Sequence, residues 1–134
     1  KLTDNFVVTN CDVVTDINYH NFFEHHIKKE AYLSILGLEK STKVPYGVLR
    51  LDKESNVEGL QEKPKQTHTI MTGIYIINKR ALDFIPSDVE FGMDELIETL
   101  IANNKVVTSF VIKDGWYDMG QFSEYKKLLM HIDN

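Results

Sequence analysis

The 134-residue sequence is poor in several things, and each shortage narrows what it can be. Cys11 is the single cysteine, so no disulfide can form within the chain and a thiolate zinc cage is excluded. No run of about 18 apolar residues exists, and the opening residues 1–5 are too polar for the apolar stretch of a signal peptide. A reducing, cytoplasmic setting is therefore expected, with neither membrane nor secretion. Positive charge is scarce: 15 Lys plus Arg stand against 20 Asp plus Glu, a formal charge of −5, which argues against a protein that grips a nucleic-acid backbone. Seven glycines are scattered and form neither GxGxxG nor GxxxxGK[ST], so the chain carries no Gly-rich loop for cradling a triphosphate. The five histidines offer no HExxH or paired metal-ligand spacing, and His20, His25 and His26, all on one helical stretch, read as helix-surface residues.

What is present is ordinary globular material. Hydrophobic residues make up 43% and charged residues 26%, enough for one compact domain with a core. The chain begins at Lys1 and reaches an apolar strand within a few residues, so we expect a piece of a longer protein. Residues 6–9, Phe-Val-Val-Thr, form a short β-rich run that ends in the polar turn Asn10-Cys11-Asp12. Tyr19, Phe22, Phe23, His26 and Ile27 then mark one face of a helix, with Asp16 or Asn18 available as its cap. Residues 32–37 read as a second strand and 39–45 as a polar connection. A hairpin follows, with arms 47–51 and 57–62 joined by a turn of Asp, Lys, Glu, Ser and Asn.

Beyond Pro64 and a polar stretch to Thr69, residues 70–77 have the content of a central strand, interrupted by Gly73. A short helix over 79–85 stops at Pro86, and Met93, Leu96, Ile97, Leu100 and Ile101 mark another helical stripe. Residues 106–112 read as a strand. Trp116-Tyr117-Asp118-Met119-Gly120 is a turn before a last helix whose apolar side is Phe122, Tyr125, Leu129 and Ile132. Helices alternating with strands, plus one hairpin, predict an α/β fold with a mixed, mostly parallel sheet flanked by helices.

Asp12 and Asp118 each follow an apolar strand in an Asn- or Gly-containing turn, where a carboxylate can project into a cleft. Two such oxygen ligands suit Mg²⁺, which takes one or two protein carboxylates and leaves its other positions to phosphate and water. Taken singly, each is equally a turn or capping aspartate. Glu62-Lys63-Pro64 reads as a carboxylate for sugar hydroxyls beside an ammonium for a phosphate, or as a plain charged strand end. Gly47, in Pro45-Tyr46-Gly47, could bring backbone close to a ligand, or merely start a strand. Cys11 reads as a small turn residue, Met71 and Met93 as core or cleft lining, and Trp116 as an aromatic anchor beneath the Asp118 turn.

Taken together and in order, Val8-Thr9-Asn10-Cys11-Asp12, Pro45-Tyr46-Gly47-Val48, Glu62-Lys63-Pro64, Thr72-Gly73-Ile74-Tyr75 and Trp116-Tyr117-Asp118-Met119-Gly120 resemble the sugar-phosphate nucleotidyltransferase family, in particular its mannose-1-phosphate guanylyltransferase-like members. The resemblance covers almost the whole chain and implies a nucleotide-diphospho-sugar transferase-like, Rossmann-like fold truncated on its amino-terminal side. Residues 1–134 would then be the sugar-binding and metal-binding portion of a catalytic domain. The implied reaction is Mg²⁺-dependent transfer of a nucleotidyl group from an NTP, GTP by the closest resemblance, to a sugar 1-phosphate, giving an NDP-sugar and pyrophosphate. By the family pattern Asp12 and Asp118 hold the metal and Lys63 the sugar phosphate. Glu62 meets the sugar hydroxyls, and Tyr46, Gly47, Met71, Thr72 and Gly73 line the sugar pocket.

The sequence departs from the family in three places. Cys11 replaces the usual glycine before the metal aspartate, Met71 replaces a sugar-contacting asparagine, and the amino-terminal Gly-rich loop is absent from these residues. The isolated chain is accordingly expected to be inactive, and a sheet edge or core surface exposed by truncation could make it dimerise or aggregate; a missing amino-terminal segment or regulatory domains are the other partners expected. A non-catalytic nucleotide-sugar-binding regulatory domain is the alternative from a different functional class, and an α/β scaffold with accidental motifs is a third.

Overall fold

The computed structural model describes residues 3–132, with only the backbone of Ile132. The polar opening at Lys1 and Leu2 and the apolar side chain expected at Ile132 lie outside the described residues. The elements run β1 (Asn5–Thr9), β2 (Val13–Thr15), α1 (Tyr19–Lys28), β3 (Leu33–Lys43), β4 (Val48–Leu51), β5 (Val57–Gln61), β6 (Lys65–Asn78), a 3₁₀ turn (Lys79–Phe84), α2 (Met93–Ala102), β7 (Val107–Ile112), β8 (Trp116–Asp118) and α3 (Phe122–Ile132). The central sheet has the order β1-β6-β3-β7. β3 and β7 pair in parallel, while β6 lies antiparallel between β1 and β3. Three strands thus share one direction and β6 runs against them, so the sheet is mixed and its parallel pairing is confined to β3–β7.

Alternation along the strands sends side chains to both faces, and each face carries its own core. On one, Leu33, Tyr75 and Ile77 pack with Ala81, Leu96 and Leu100, which seats α2 and the 3₁₀ turn. On the other, Leu36, Ile74 and Ile76 surround Phe22 of α1, whose ring lies 5.5 Å from that of Phe110. Of the two cap candidates for α1, Asn18 is the one used: its side chain accepts from Asn21 N at 3.2 Å. Phe23 and Ile27 in the same predicted stripe remain 38% and 49% exposed, so the buried seam of α1 is narrower than its apolar pattern.

The polar segment 39–45 is not a connection. β3 continues through it to Lys43 and pairs with the polar start of β6, from Glu39↔Thr69 to Lys43↔Lys65, with Ser41 Oγ and Thr67 Oγ1 2.9 Å apart. A two-stranded ribbon wet on both faces needs no apolar alternation, because its backbone hydrogen bonds hold it. The hairpin β4–β5 forms as expected, a separate two-stranded sheet. α3 buries Leu128 rather than the expected stripe: Phe122, Tyr125 and Leu129 are exposed, because the helix packs on little besides β8.

One helical histidine does not sit on the surface. His26 is 1% exposed, its Nδ1 lies 2.7 Å from Ser34 Oγ and its Nε2 3.0 Å from Asn5 Oδ1. His20 keeps the expected surface place beside Glu24, and His25 Nε2 meets Thr108 Oγ1 at 3.1 Å.

Candidate active site

β1 delivers the turn Asn10-Cys11-Asp12 to the end of the sheet where β6 passes through Gly73. Asn10 N donates to Gly73 O at 2.9 Å, and Gly73 adopts φ +80. A Cβ on Gly73 would lie 2.6 Å from Asn10 Nδ2, so glycine is required here both for its backbone angle and for the space that Asn10 occupies. Immediately after Asp12 the chain enters β2, which pairs with β8 in the register Val13↔Asp118, and Met119 N donates to Asp12 O at 2.8 Å. A three-residue strand pair therefore sets the two aspartates, from opposite ends of the sequence, side by side.

The carboxylates converge around Gly120. A Cβ built there would lie 3.1 Å from Asp118 Oδ1 and 3.7 Å from Asp12 Oδ2, so the missing side chain leaves a small space walled by both. Asp118 is oriented by hydrogen bonds to each oxygen, from Gly120 N at 2.9 Å and Gln121 Nε2 at 3.0 Å. The carboxylate of Asp12 accepts no hydrogen bond among the described residues and keeps its lone pairs available. These two carboxylates are the residues that could hold a metal ion at this space; no third His, Cys, Asp or Glu joins them among the described residues.

Both aspartates line a cleft of about 240 Å³ together with Asn10, Met71, Thr72, Gly73, Tyr75 and Trp116. Thr72 is buried, its hydroxyl donating to Leu36 O at 2.8 Å, and Trp116 Nε1 donates to Thr72 O at 3.0 Å. The indole thus ties the β8 strand bearing Asp118 to the β6 wall. Burial, reinforced by the negative charge of Asp94, pushes the Tyr75 phenol above its ordinary pKa and keeps it a protonated hydroxyl at neutral pH.

The sequence-predicted residues fall into two groups. Asp12, Asp118, Met71, Thr72 and Gly73 meet in this cleft; Tyr46, Gly47, Glu62 and Lys63 are not in its lining. The second group assembles at the base of the hairpin. A Cβ on Gly47 would lie 3.1 Å from Glu62 Oε2, and Glu62 and Lys63 form an exposed ion pair at 3.6 Å. Lys63 holds φ 45, a left-handed conformation uncommon outside glycine, directly before Pro64. The β3–β6 ribbon joins the two groups. Sequence reasoning did not single out Tyr75, Gln121 or the space at Gly120. Gln121 follows the Asp118 turn, and a side-chain donor placed there was the available signal.

The sequence model of the family described as "Nucleotidyl transferase" matches residues 1–134. The chain is 29% identical to "Probable mannose-1-phosphate guanylyltransferase 1" of Oryza sativa subsp. japonica, over 98% of this chain and 37% of that protein. It is 27% identical to "UTP--glucose-1-phosphate uridylyltransferase" of Synechocystis sp., over 91% of this chain and 33% of that protein. It thus spans about a third of the length of these curated relatives. Among solved structures, HddC from Yersinia pseudotuberculosis superposes with a TM-score of 0.66 at 28% identity, covering 97% of this chain and 56% of that one.

Proposed function

The chain belongs to the nucleotidyl transferase family, and from that premise we propose that it is the sugar-binding and metal-binding part of an enzyme that moves a nucleotidyl group from an NTP to a sugar 1-phosphate. An oxygen of the sugar phosphate attacks the α-phosphorus of the NTP, the α–β phosphoanhydride bond breaks, and pyrophosphate leaves with the displaced electron pair. No covalent enzyme intermediate is required, so the protein contributes alignment and charge complementarity. One observation carries the reading: Asp12 and Asp118 converge on the space at Gly120 in a cleft walled by Met71, Thr72 and Gly73.

In this reading Asp12 and Asp118 hold Mg²⁺, which would neutralise charge on the reacting phosphate oxygens. Gly120 N and Gln121 fix the orientation of Asp118, and the β6 wall holds the sugar. From the base of the hairpin, Lys63 meets the sugar phosphate and Glu62 the sugar hydroxyls, with Tyr46 and Gly47 beside them. For the base we propose guanine. The rice relative's name supports it, and the Synechocystis relative's name makes UTP the competitor to test against.

The test measures pyrophosphate release by the complete enzyme across a panel of NTPs and sugar 1-phosphates with Mg²⁺. Asp12→Asn and Asp118→Asn should each lower kcat by about 100-fold or more with the fold intact. Near-normal turnover in both variants would remove the metal assignment, and nucleotide-sugar binding without turnover in the wild type would move the site to a regulatory role. Lys63→Ala should chiefly raise KM for the sugar phosphate, by about tenfold. An unchanged KM would remove Lys63 from the site.

A further inference from the structure

At the far end of β1 and β6 from the carboxylates, a second cleft of about 570 Å³ opens beside the C-terminal end of α1, lined among others by Asn5, His26, Lys29, Tyr32, Asn78 and Arg80. Its volume lies in the range of small-molecule sites. A directed set of hydrogen bonds underlies it. Arg80 Nε donates to Asn78 Oδ1 at 2.8 Å, and Asn78 Nδ2 donates to Asn5 Oδ1 at 2.7 Å. The Asn5 oxygen can only accept, so His26 Nε2, 3.0 Å away, carries the proton, and His26 Nδ1 accepts from the Ser34 hydroxyl at 2.7 Å. Burial, with the charges of His25 and Arg80 adding to it, lowers the His26 pKa and keeps the ring neutral in this tautomer.

The consequence lies in what remains. The Asn oxygens and the imidazole acceptor are engaged within the network, whereas three donors of the lining have no hydrogen bond or ion pair among the described residues, the Asn5 side-chain amide nitrogen, the terminal nitrogens of Arg80 and the Lys29 ammonium, against one unpaired acceptor, the Glu30 carboxylate. The charge of Lys29 is accounted for by the helix end beside it. Arg80 lies on the 3₁₀ turn and has no such account. Its guanidinium is held 4.5 Å above the Tyr32 ring with Nε already committed, so its outer edge is fixed in advance for a planar or tetrahedral oxyanion. Glu30, also in the lining, is paired with neither cation.

We propose that this cleft is a second ligand site, distinct from the Asp12–Asp118 cleft, that binds the phosphate group of a small metabolite through Arg80, Lys29 and the Asn5 amide. NMR of the protein tests it, following the Arg80 Nε resonance and the backbone amides of residues 29–32 and 78–80 during titration with inorganic phosphate, with glucose 6-phosphate and with glucose. Saturable shifts with both phosphates and none with glucose are expected. Arg80→Gln and Lys29→Gln, both at exposed side chains, should each weaken binding by about tenfold, with Asp12→Asn leaving it unchanged. Tighter binding of glucose 6-phosphate would assign an esterified phosphate, and binding of inorganic phosphate at least as tight would assign the free anion. Shifts that do not saturate, that stay in the Asp12 cleft, or that persist undiminished in Arg80→Gln and Lys29→Gln would overturn the proposal.

Discussion

At Gly120 one methyl group separates an open space between two carboxylates from a filled one. The added carbon of Gly120→Ala would stand 3.1 Å from Asp118 Oδ1, so that carboxylate must give way or the space it shares with Asp12 closes. Because displacement of a reacting group by about 1 Å can cost 100-fold, kcat of the complete enzyme should fall by about that factor while the thermal midpoint stays near the wild-type value. A rate within about threefold of wild type would show that the space is not used. His26 gives a prediction of a different kind. Burial lowers its folded pKa from 6.5, so the unfolded chain takes a proton that the folded chain refuses. Its contribution is whole above pH 6.5 and is lost as pH falls from there toward the lower folded value, by at most about 1.4 kcal/mol per pH unit. His25, also lowered by burial, acts with the same sign. Urea unfolding at pH 7.5 and 5.5 should give a lower midpoint at 5.5, with a smaller drop in His26→Gln; equal midpoints for the wild type would contradict it.

Among the elements, those with a wet face and a dry face were legible and those wet on both faces were not. Phe22, Leu96 and Leu100 announced α1 and α2 by their spacing, and Ile74 and Ile76 announced the inner part of β6. The ribbon of residues 39–43 and 65–69 carries Glu, Lys, Ser, Thr, Gln and His, a composition that a loop also has, and only cross-strand pairing makes it a strand. β2 has three residues, too few for any periodicity. His26 departs from its expected surface place for the opposite reason: it shares the buried seam of α1 with Phe22, and Ser34 and Asn5 satisfy its ring nitrogens there. In the cleft, the places of Asp12 and Asp118 were legible because Asp12 lies in the turn after β1 and Asp118 closes the short strand β8. The separation of Lys63 from them was not, since it depends on the ribbon's being a strand. Among the described residues the hairpin β4–β5 has no third strand, and Leu49 and Leu60 are 54% and 64% exposed. Such a pair is marginal by itself, so its amides should exchange with deuterium well before those of β3 and the inner half of β6. Equal protection across the three would indicate that something covers the hairpin in solution.

For the molecule as a whole, the sheet order leaves β1 and β7 as edges, each carrying an exposed valine, Val7 at 44% and Val111 at 49%. Unpaired strand edges with apolar side chains recruit partners. The 134-residue chain on its own should therefore self-associate with rising concentration in sedimentation velocity, whereas a constant monomer would show both edges to be protected. The pairing of β2 with β8 has a consequence in time. Asp12 leaves the ribosome about a hundred residues ahead of Asp118, which at ordinary synthesis rates is a delay of roughly 5–20 s. During that interval the first carboxylate has no companion, and the contact that supplies one is among the longest-range in the chain, the kind that forms late. The cleft is thus completed only when β8 has emerged. Trp116, the chain's one tryptophan, is part of that strand, so a nascent chain carries a built-in optical clock whose change of emission marks the moment the Asp12–Asp118 cleft closes.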